Sequence, residues 1–443
     1  MGSLRAITFQ VTPGGPVSGR LRVPGDKSIS HRSLLLGALA DGVTQVSGFL
    51  AGDDTLASLE ALRAMGVDIE RQEAGNLAIH GVGLGGLSAP QGPLYLGNSG
   101  TSVRLLAGVL AGQSFDSELT GDASLSQRPM QRVAEPLAWM GARVTLSEQG
   151  TLPLHIFGQQ RLVGIEYQMP VASAQIKSCV LLAGLYAKGQ TCVMEPAATR
   201  DHTERLLAQF GYPITCSTGR VCLEGGGRLV ATEIQVPADI SSAAFFIVSA
   251  ALVDGSDILL EEVGINPTRT AVIEVLQEMG ADITVRNRRE MTGEPVADIQ
   301  VRASPLHGIQ IPSSQVSRAI DEFPVIFIAA ACARGQTVVT GAAELRVKES
   351  DRIEVMAKGL RVLGVHAEPT DDGIRINGGR LHGGSVDSAG DHRVAMAFAV
   401  AGLCASAPVA IQNCANVDTS FPGFAEFARG AGFDIVVEKK RHA

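Results

Sequence analysis

Two kinds of hydrophobic pattern alternate along the chain, and both predict helices. The first is an amphipathic helix, apolar on one face only, that runs into a glycine and then an alternating strand. Glycine just beyond a helix favours a left-handed C-terminal conformation, so each of these helices is predicted to end at its glycine. The pattern occurs six times, with its glycine at Gly66, Gly141, Gly211, Gly280, Gly364 and Gly432.

The second pattern is a helix with a polar first turn and an apolar body on almost every side. A helix of this kind is buried, so each repeat is predicted to combine one inner helix, one outer helix and covering strands. Six such repeats of about 70 residues account for the chain. The inner helices are predicted to begin near Lys27, Thr101, Ala174, Ser241, Asp321 and His392.

The repeat count also indicates how the chain divides into domains. A chain of 443 residues is too long for one ordinary core, so two domains of three repeats each are expected. We place the return crossover near residue 238, which gives one discontinuous domain (1–23 with 239–443) and one inserted domain (24–238). Residues 1–23 are predicted to form a short strand pair that turns at 14–16, and the first strand is expected to complete the discontinuous domain.

Composition narrows the class of protein. The chain is 45% hydrophobic and 19% charged, which is typical of folded cores and not of disorder. A net charge of −8 disfavours nucleic acid and membrane surfaces as partners, so a basic site would be local and suited to a small anion. Seven cysteines without a Cys-x-x-Cys pair predict reduced thiols, with neither a disulfide framework nor a zinc site.

Two further segments bear on location. The N-terminus lacks the apolar region of a signal peptide. Residues 394–411 are nearly all apolar but are interrupted by Ser406 and Pro408, which favours a buried helix over a membrane span. We therefore expect a cytoplasmic protein.

The sequence PGDKSISHR (24–32) has the composition of an anion-binding helix start. Backbone N–H groups and the positive end of the helix dipole favour a phosphate or carboxylate there. By itself the segment is explained equally well as an ordinary capped helix. Similar starts recur along the chain, and the cations at or near them are Lys27, Arg32, Arg104, Arg128, Lys348, Arg352 and Arg393.

These cations together predict a site for at least two multiply charged anions. Arg128 is the most informative, because an arginine beside Pro129 at a predicted helix start needs an anion to offset it. Asp321 and Glu349 lie among the cations and are candidate acid and base groups. For Asp321, ordinary helix capping is an equally good interpretation, and the charged run 346–352 also fits a solvated face.

Eight sequence motifs of the chain are similar to those of the 5-enolpyruvylshikimate-3-phosphate synthases (3-phosphoshikimate 1-carboxyvinyltransferases). The resemblance covers about 21–424 in the family's order, and the spelling of 24–32 with 128–133 looks like the second class of these enzymes. It rests on PGDKSISHR (24–32), LGNSGTSVRL (96–105), GDASLSQRPM (121–130), VASAQIKS (171–178), TRDHTERL (199–206), RVKESDRI (346–353), GDHRVAM (390–396) and TSFPGF (419–424).

The resemblance implies an α/β (α+β) fold: a two-domain inside-out α/β barrel of six βαβαββ repeats, three per domain, with the active site in the interdomain cleft. It also assigns ligands by position, and it implies no cofactor and no metal. Shikimate 3-phosphate would be held by Lys27, Ser28, Arg32, Ser173, Ala174, Gln175, Arg200, Asp321 and Lys348. Phosphoenolpyruvate would be held by Lys27, Gly100, Arg128, Gln175, Arg352 and Arg393.

The reaction that the resemblance implies is an addition followed by an elimination. The 5-hydroxyl attacks C2 of phosphoenolpyruvate while C3 gains a proton, and phosphate leaves from the tetrahedral intermediate as C3 returns the proton. Similar enzymes use the positions of Glu349 for the C3 proton, Asp321 at the hydroxyl and Lys27 as acid. The expected partners are these two small molecules, with no nucleic acid and no membrane, and the chain is expected to be a monomer.

One position departs from the other class of the family, where a lysine that contacts phosphoenolpyruvate precedes Thr-Phe-Pro. Here Thr419 precedes Ser420, so that ligand contact is missing. Gly100 leaves room where glyphosate-tolerant members carry alanine, and we therefore expect glyphosate sensitivity.

Three other interpretations stay open. UDP-N-acetylglucosamine enolpyruvyl transferase shares the fold and the donor but uses a loop cysteine, and no cysteine lies near Arg128 here. An inert anion-binding relative would not need Lys27, Asp321 and Glu349 together. A repeat scaffold would have no need of cations at successive helix starts.

Overall fold

The chain folds into two compact units, as a computed structural model of residues 6–440 shows. The flanking unit comprises residues 6–24, 237–289 and 295–440. The inserted unit comprises residues 25–236 together with 290–294. Both units are mixed α/β structures, and each is described by itself.

The helices follow the predicted alternation, with one additional short helix, α9. Their bounds are α1 (Lys27–Leu39), α2 (Asp53–Ala64), α3 (Gly100–Leu110), α4 (Gln131–Trp139), α5 (Ala174–Gly184), α6 (His202–Gln209), α7 (Ile240–Leu252), α8 (Ala271–Glu278), α9 (Ser313–Val316), α10 (Phe323–Cys332), α11 (Arg352–Val362), α12 (His392–Cys404) and α13 (Phe424–Gly430).

The strands are short and lie between these helices. Their bounds are β1 (Ala6–Thr12), β2 (Ser18–Leu21), β3 (Ala40–Ser47), β4 (Asp68–Arg71), β5 (Leu77–Val82), β6 (Leu94–Tyr95), β7 (Ser117–Thr120), β8 (Arg143–Thr145), β9 (Leu154–Phe157), β10 (Glu166–Gln168), β11 (Gln190–Met194), β12 (Ile214–Ser217), β13 (Arg220–Glu224), β14 (Leu229–Val230), β15 (Glu233–Gln235), β16 (Asp257–Gly264), β17 (Asp282–Met291), β18 (Glu294–Arg302), β19 (Gln336–Val339), β20 (Ala367–Thr370), β21 (Gly373–Asn377), β22 (Gly384–Asp387), β23 (Val409–Gln412) and β24 (Asp434–Lys440).

The strands form small mixed sheets, three in each unit across residues 6–440. In the inserted unit the strand orders are β14-β3-β5-β4 with β15 also beside β3, β6-β7-β9-β8, and β10-β11-β13-β12. In the flanking unit they are β17-β18-β16-β2, β19-β21-β20, and β22-β23-β1-β24. In five of the six, parallel pairing occurs at one edge: four have one parallel pair there, and in the fifth β14 and β15 both pair in parallel with β3. β19-β21-β20 has a parallel bridge, from Gln310 to Val338, at that edge.

Six helices are the buried inner ones, and their starts confirm the prediction to within two residues. They begin at Lys27, Gly100, Ala174, Ile240, Phe323 and His392. In the flanking unit α7, α10 and α12 pack against one another, and in the inserted unit α3 packs against α1 and α5. The helix over 394–411 is α12, which ends at Cys404 before strand β23. Within residues 6–440 no helix is long and apolar enough to cross a bilayer.

The outer helices end as predicted. Each of the six glycines has a positive φ, from +75° at Gly211 to +110° at Gly432. This is the left-handed conformation that glycine adopts without a steric penalty. The repeats are therefore confirmed at both ends of their helices.

The prediction for the N-terminal segment is half right. β1 pairs with β23 and β24, so the first strand does complete a sheet of the flanking unit. β2 instead pairs with β16 in a different sheet, so the predicted strand pair within 1–23 is wrong. Alternating strand patterns carry no information about the partner strand, and here both partners lie more than two hundred residues away. Residues 1–5 of that prediction lie outside the described residues.

The prediction that all thiols are reduced is also wrong in this structure. Cys192 in β11 and Cys222 in β13 lie directly opposite each other and form a disulfide. The sheet register brings them together, and a separation of 30 residues gives no sequence signal of it. The free thiols are Cys179, Cys216, Cys332, Cys404 and Cys414.

Candidate active site

The turn before α1 is shaped by a close backbone approach. A Cβ atom at Gly25 would lie 2.0 Å from the carbonyl oxygen of Gly48, so a larger residue cannot be accommodated there. Asp26 then caps the helix, because its side chain accepts a hydrogen bond from the backbone N–H of Ile29 at 2.9 Å. The first turn contains no acidic residue. The positive end of the helix dipole therefore adjoins one carboxylate, that of the Asp26 cap, and Lys27 at the first helical position.

Lys27 and Arg32 extend from successive turns of α1. The Lys27 ammonium lies 2.8 Å from the carboxylate of Asp54 at the start of α2. Arg32 is only 3% exposed. Its guanidinium donates to Thr203 Oγ1 at 2.6 Å, to Ser178 Oγ at 2.7 Å and to the carbonyl oxygen of Ser28 at 3.0 Å.

Arg32 is buried without a carboxylate partner at ion-pair distance. Burial lowers the pKa of its guanidinium to about 10, which outweighs the opposing effects of Glu204 and Asp26, and Arg200 lowers the pKa by a smaller amount. No carboxylate of the described residues lies within ion-pair distance of Arg32, whose bonded acceptors are neutral oxygens. A bound anion would supply the charged partner that Arg32 lacks at ion-pair distance.

A second group surrounds the start of α3. Ser99 caps this helix by accepting from the backbone N–H of Ser102 at 3.1 Å. A Cβ atom at Gly100 would lie 2.8 Å from Arg104 Nη1 and 2.9 Å from Arg128 Nη1, so both guanidiniums crowd this glycine. Arg128 also donates to the side-chain oxygen of Asn98. The helix start thus carries two arginine side chains beside free backbone N–H groups.

The position of Arg128 differs from the prediction. Arg128 follows the 3₁₀ turn Leu125–Gln127, and α4 begins only at Gln131. Pro129 is therefore not the first residue of a helix, and the argument from an arginine misplaced on a helix dipole is wrong. What makes Arg128 notable is its 9% exposure beside Gly100.

Gln175 connects α5 to the same group. Its side-chain oxygen accepts from Arg104 Nη1 at 2.7 Å, and its nitrogen donates to Thr101 Oγ1 at 3.1 Å. These two bonds fix the orientation of the amide. Ser173, the residue before α5, caps that helix through Ile176, with a long bond of 3.4 Å. Ala174 is the first residue of the helix.

A buried chain of polar side chains joins α1 to the start of α3. His31 Nδ1 lies 2.9 Å from Ser58 Oγ, which lies 2.6 Å from Ser102 Oγ. Ser102 Oγ donates in turn to Ser99 Oγ at 2.6 Å. Burial lowers the pKa of His31 well below its ordinary value, and the charges of Lys27 and Arg32 lower it further. His31 is therefore neutral in this chain.

The flanking unit is organised around Arg352, whose side chain is 1% exposed. It pairs with Asp391 at 2.8 Å through Nε and with Glu349 at 2.6 Å through Nη2. Burial lowers the pKa of Arg352, but Asp391, Glu349 and Asp321 outweigh that effect and raise it above its ordinary value. Its Nη1 atom is buried and donates no hydrogen bond within residues 6–440. The carboxylate of Asp321 lies 3.5 Å from it.

Asp321 does not cap α10. The helix begins at Phe323, and the Asp321 carboxylate lies 3.4 Å from Lys348 Nζ and 3.5 Å from Arg352 Nη1. The capping interpretation of Asp321 is therefore wrong. The charged run 346–352 is likewise not a uniformly solvated face, since Arg352 is buried.

Arg393 completes this group from the first turn of α12. Its Nη1 donates to the backbone oxygen of Asp321 at 2.8 Å and lies 3.4 Å from Glu322 Oε1. Its Nη2 donates to Ser241 Oγ at 3.3 Å. Arg352 and Arg393 thus both adjoin Asp321 in the same unit.

Thr419, at the position of the missing lysine, has a local structural contact. Its hydroxyl donates to the carbonyl oxygen of Asn416 at 2.6 Å within the 3₁₀ turn Cys414–Thr419. The next residue, Ser420, lies with its hydroxyl 3.0 Å from His392 Nε2. Both contacts hold the turn in place.

Comparison with known proteins identifies what this arrangement belongs to. Residues 11–427 match the sequence profile of the family described as EPSP synthase (3-phosphoshikimate 1-carboxyvinyltransferase). Among curated proteins, a 3-phosphoshikimate 1-carboxyvinyltransferase of Nitrosococcus oceani is 65% identical over 97% of both chains. One of Methylococcus capsulatus is 63% identical over 97% of this chain and 99% of its own.

The chain belongs to the EPSP synthase family. A solved structure of EPSP synthase from Acinetobacter baumannii superimposes with a TM-score of 0.88 at 56% identity, covering 98% of this chain and 100% of that one. The mixed α/β fold with its repeated small sheets is therefore the fold of EPSP synthases.

The structure distributes the residues expected of an EPSP synthase between two groups. In the inserted unit these are Lys27, Ser28, Arg32, Gly100, Arg128, Ser173, Ala174, Gln175 and Arg200. In the flanking unit these are Asp321, Lys348, Glu349, Arg352 and Arg393.

Sequence reasoning missed the partners that hold these side chains. Asp54, Thr203 and Asn98 bind cations of the inserted unit, and Ser241 and Glu322 bind Arg393. Each belongs to a different element from its cation, and neither its residue type nor its spacing gives a signal of the contact.

Proposed function

We propose that the chain transfers the enolpyruvyl group of phosphoenolpyruvate to the 5-hydroxyl of shikimate 3-phosphate and releases phosphate. Its family makes it a transferase of the shikimate pathway, which leads to the aromatic amino acids, with the activity of 3-phosphoshikimate 1-carboxyvinyltransferase (EC 2.5.1.19). The observation that carries the assignment to this site is Arg32, a buried guanidinium whose bonded acceptors are neutral oxygens.

Arg32 and its neighbours are proposed to hold shikimate 3-phosphate. Arginine suits the phosphate because it donates two parallel hydrogen bonds, and the hydroxyls of Ser28 and Ser173 with the amide of Gln175 suit ring hydroxyls. Support comes from the neutral acceptors that Arg32 binds in its buried position, with Arg200 near enough to lower its pKa. The remaining proposed contacts to this substrate are Lys27, Ala174, Asp321 and Lys348.

Phosphoenolpyruvate is proposed to bind arginines from both units. Arg128 beside Gly100 offers one guanidinium. Nη1 of Arg352 offers another donor, because it donates no hydrogen bond within residues 6–440 and only adjoins Asp321 at 3.5 Å. Arg393 lies next to Arg352 across Asp321. Lys27 and Gln175 are the other proposed contacts, so that each anionic group of the donor meets a cation.

The chemical steps need proton transfers at C3 of phosphoenolpyruvate and at the attacking 5-hydroxyl of shikimate 3-phosphate. We assign the C3 proton to Glu349, deprotonation of the attacking 5-hydroxyl to Asp321, and the general acid to Lys27. Positioned proton transfer contributes roughly 10²–10⁴-fold to a rate. Holding two anions together against their mutual repulsion contributes much of the remainder. The scheme uses no cofactor.

The proposal also covers the domain bounds, the place of the active site, and the location and oligomeric state of the enzyme. We infer that the domains are 1–23 with 239–443 and 24–238, that each is an inside-out barrel of three βαβαββ repeats, and that the active site lies in a cleft between them. We also propose, from the spelling of 24–32 with 128–133, that the enzyme belongs to the second class of its family. We further propose a cytoplasmic monomer that binds neither nucleic acid nor membranes.

The deciding experiment measures phosphate release from phosphoenolpyruvate with each acceptor. We expect rapid release with shikimate 3-phosphate and none with UDP-N-acetylglucosamine. Release only with the nucleotide sugar would identify the enzyme as the other enolpyruvyl transferase. Release with neither would identify an inert relative and overturn the proposal.

A further inference from the structure

A buried polar network surrounds the Arg393 guanidinium on the side of α7 and α10. Its members are Asp239, Ser241, Arg269 and Glu322, which are each at most 6% exposed. All of them belong to the flanking unit. None is among the residues expected to contact a substrate.

Glu322 occupies an unusual position for a residue at a helix start. It is the N-cap residue of α10, yet its side chain accepts no bond from its own helix. The carboxylate accepts from Ser241 Oγ on α7 instead, and its Oε1 atom also lies 3.4 Å from Arg393 Nη1. Glu322 thus gives up a capping role and supplies negative charge beside Arg393.

The hydrogen-bonding capacity of Ser241 fixes the direction of this network. A hydroxyl has one proton to donate and two lone pairs to accept with. Arg269 Nη2 donates to Ser241 Oγ at 2.5 Å and Arg393 Nη2 donates to it at 3.3 Å. Both lone pairs are therefore occupied, because guanidiniums only donate, and the single proton of Ser241 goes to Glu322.

Counting hydrogen-bond donors in the same way shows which N–H groups of Arg393 are left for a ligand. A guanidinium has five N–H donors. Nη1 is directed to the backbone oxygen of Asp321 and to Glu322, and one Nη2 hydrogen is directed to Ser241. Within residues 6–440 the Nε–H and one Nη2–H have no acceptor, and Nε and Nη2 lie on the same edge of the guanidinium. That edge matches the bidentate geometry in which arginine holds a carboxylate or phosphate.

We propose that Ser241 and Glu322 are positioning residues that hold the Nε/Nη2 edge of Arg393 toward phosphoenolpyruvate. Arg269 supports them, since the Nη2 atom that donates to Ser241 also pairs with Asp239 at 3.0 Å. This inference rests on the proposed role of Arg393 in binding that substrate. It adds two residues from two other helices, α7 and the start of α10, to the determinants of donor affinity.

The test is a double-mutant cycle on the purified full-length enzyme. Ser241→Ala and Glu322→Gln are each combined with Arg393→Lys, and KM for both substrates and kcat are measured. Each single variant is expected to raise KM for phosphoenolpyruvate roughly tenfold, the size of one lost charge-assisted hydrogen bond, and to change KM for shikimate 3-phosphate and kcat much less. When Arg393→Lys is already present, neither Ser241→Ala nor Glu322→Gln is expected to raise KM for phosphoenolpyruvate further.

A matched control lies in the same turn of α7. Ser242→Ala removes a hydroxyl that is 6% exposed and leaves Ser241 in place, so KM for phosphoenolpyruvate is expected to stay at the wild-type value. Glu322→Gln keeps the size of its side chain and serves the test where Ser241→Ala does not fold.

The outcomes separate this inference from the site assignment. If Arg393→Lys raises KM for phosphoenolpyruvate but neither Ser241→Ala nor Glu322→Gln does, Arg393 binds the donor and the positioning role is wrong. Changes of equal size with and without Arg393→Lys would show that the network acts elsewhere and would also overturn the inference. No effect of Arg393→Lys would remove Arg393 from the site, and the inference with it.

Discussion

A Cβ atom placed on Gly100 would lie 2.9 Å from Nη1 of Arg128. The atom it would meet is the end of a flexible side chain, so Gly100→Ala is expected to displace the guanidinium and leave the fold intact. A displaced charge-assisted hydrogen bond costs about 1.5–3 kcal/mol. We therefore expect KM for phosphoenolpyruvate to rise roughly 10- to 100-fold, with a smaller change in kcat, as steady-state phosphate release would show.

The same variant tests the expected glyphosate sensitivity. The wild-type enzyme is expected to be inhibited well below millimolar glyphosate, and Gly100→Ala to raise the inhibition constant. Gly92→Ala is the matched control, because no atom lies within 4 Å of the added methyl group. A wild-type inhibition constant in the millimolar range would contradict the prediction.

The buried pair of Arg352 and Asp391 makes a prediction about stability. Burial raises the pKa of Asp391, but Arg352 outweighs it and holds that pKa below its usual value. Removing one partner of a buried pair costs about 3–5 kcal/mol. Arg352→Met is therefore expected to lower the free energy of unfolding near pH 7 by about that amount, measured by urea denaturation.

The pH dependence of this pair gives a second readout. In the wild type, the stability from Asp391 is present above its unfolded-state pKa and is lost as pH falls through the lower folded-state pKa. In Arg352→Met, burial without the cation raises the pKa of Asp391, so the deficit of the variant is expected to shrink on acidification. A deficit that is the same near pH 7 and near pH 5 would contradict this account.

The helices and the repeats could be predicted from the sequence because their signals are local. Apolar periodicity and the closing glycines act within one turn, and the positive φ of Gly66 and Gly432 follows from the same short-range sterics. Lys27, Arg352 and Arg393, in the first turns of their helices, were found for the same reason. Their identity as ligands came from the resemblance to a family.

What the sequence could not supply is the set of long-range partners. Arg32 and Thr203 are 171 residues apart, and Arg393 and Ser241 are 152 residues apart. Serine, threonine and glutamate are also common surface residues, so their types carry no signal. The Cys192–Cys222 bond was missed in the same way, since strand register and not spacing brings the two residues together.

His31 makes a prediction about acid stability. Its folded-state pKa lies well below the ordinary value because it is buried and lies near Lys27 and Arg32. Between the two pKa values the unfolded chain binds a proton there that the folded chain does not, so stability falls as pH drops below about 6.5. This group contributes a slope of up to about 1.4 kcal/mol per pH unit.

His31→Asn is expected to remove that part of the slope, measured as free energy of unfolding against pH. The variant also interrupts the chain to Ser58 and Ser102, so a lower stability near neutral pH is expected in addition. Replacing the exposed His366 by Gln is the control. An unchanged slope in His31→Asn would show that His31 takes up its proton in the folded state as readily as in the unfolded chain.

Glu349 is expected to act on turnover and much less on binding. Glu349→Gln keeps the size of the side chain and can still accept from Arg352, with which the carboxylate pairs at 2.6 Å, but an amide does not exchange a proton with C3. The loss of one general acid–base group lowers kcat roughly 10²–10⁴-fold. The dissociation constants of both substrates, measured by calorimetry, are expected to change by less than about tenfold.

Glu354→Gln, on the exposed face of α11, is the matched control and should keep the wild-type kcat. If Glu349→Gln turns over at the wild-type rate, the C3 proton is carried by another group, and Asp321 becomes the residue to test next.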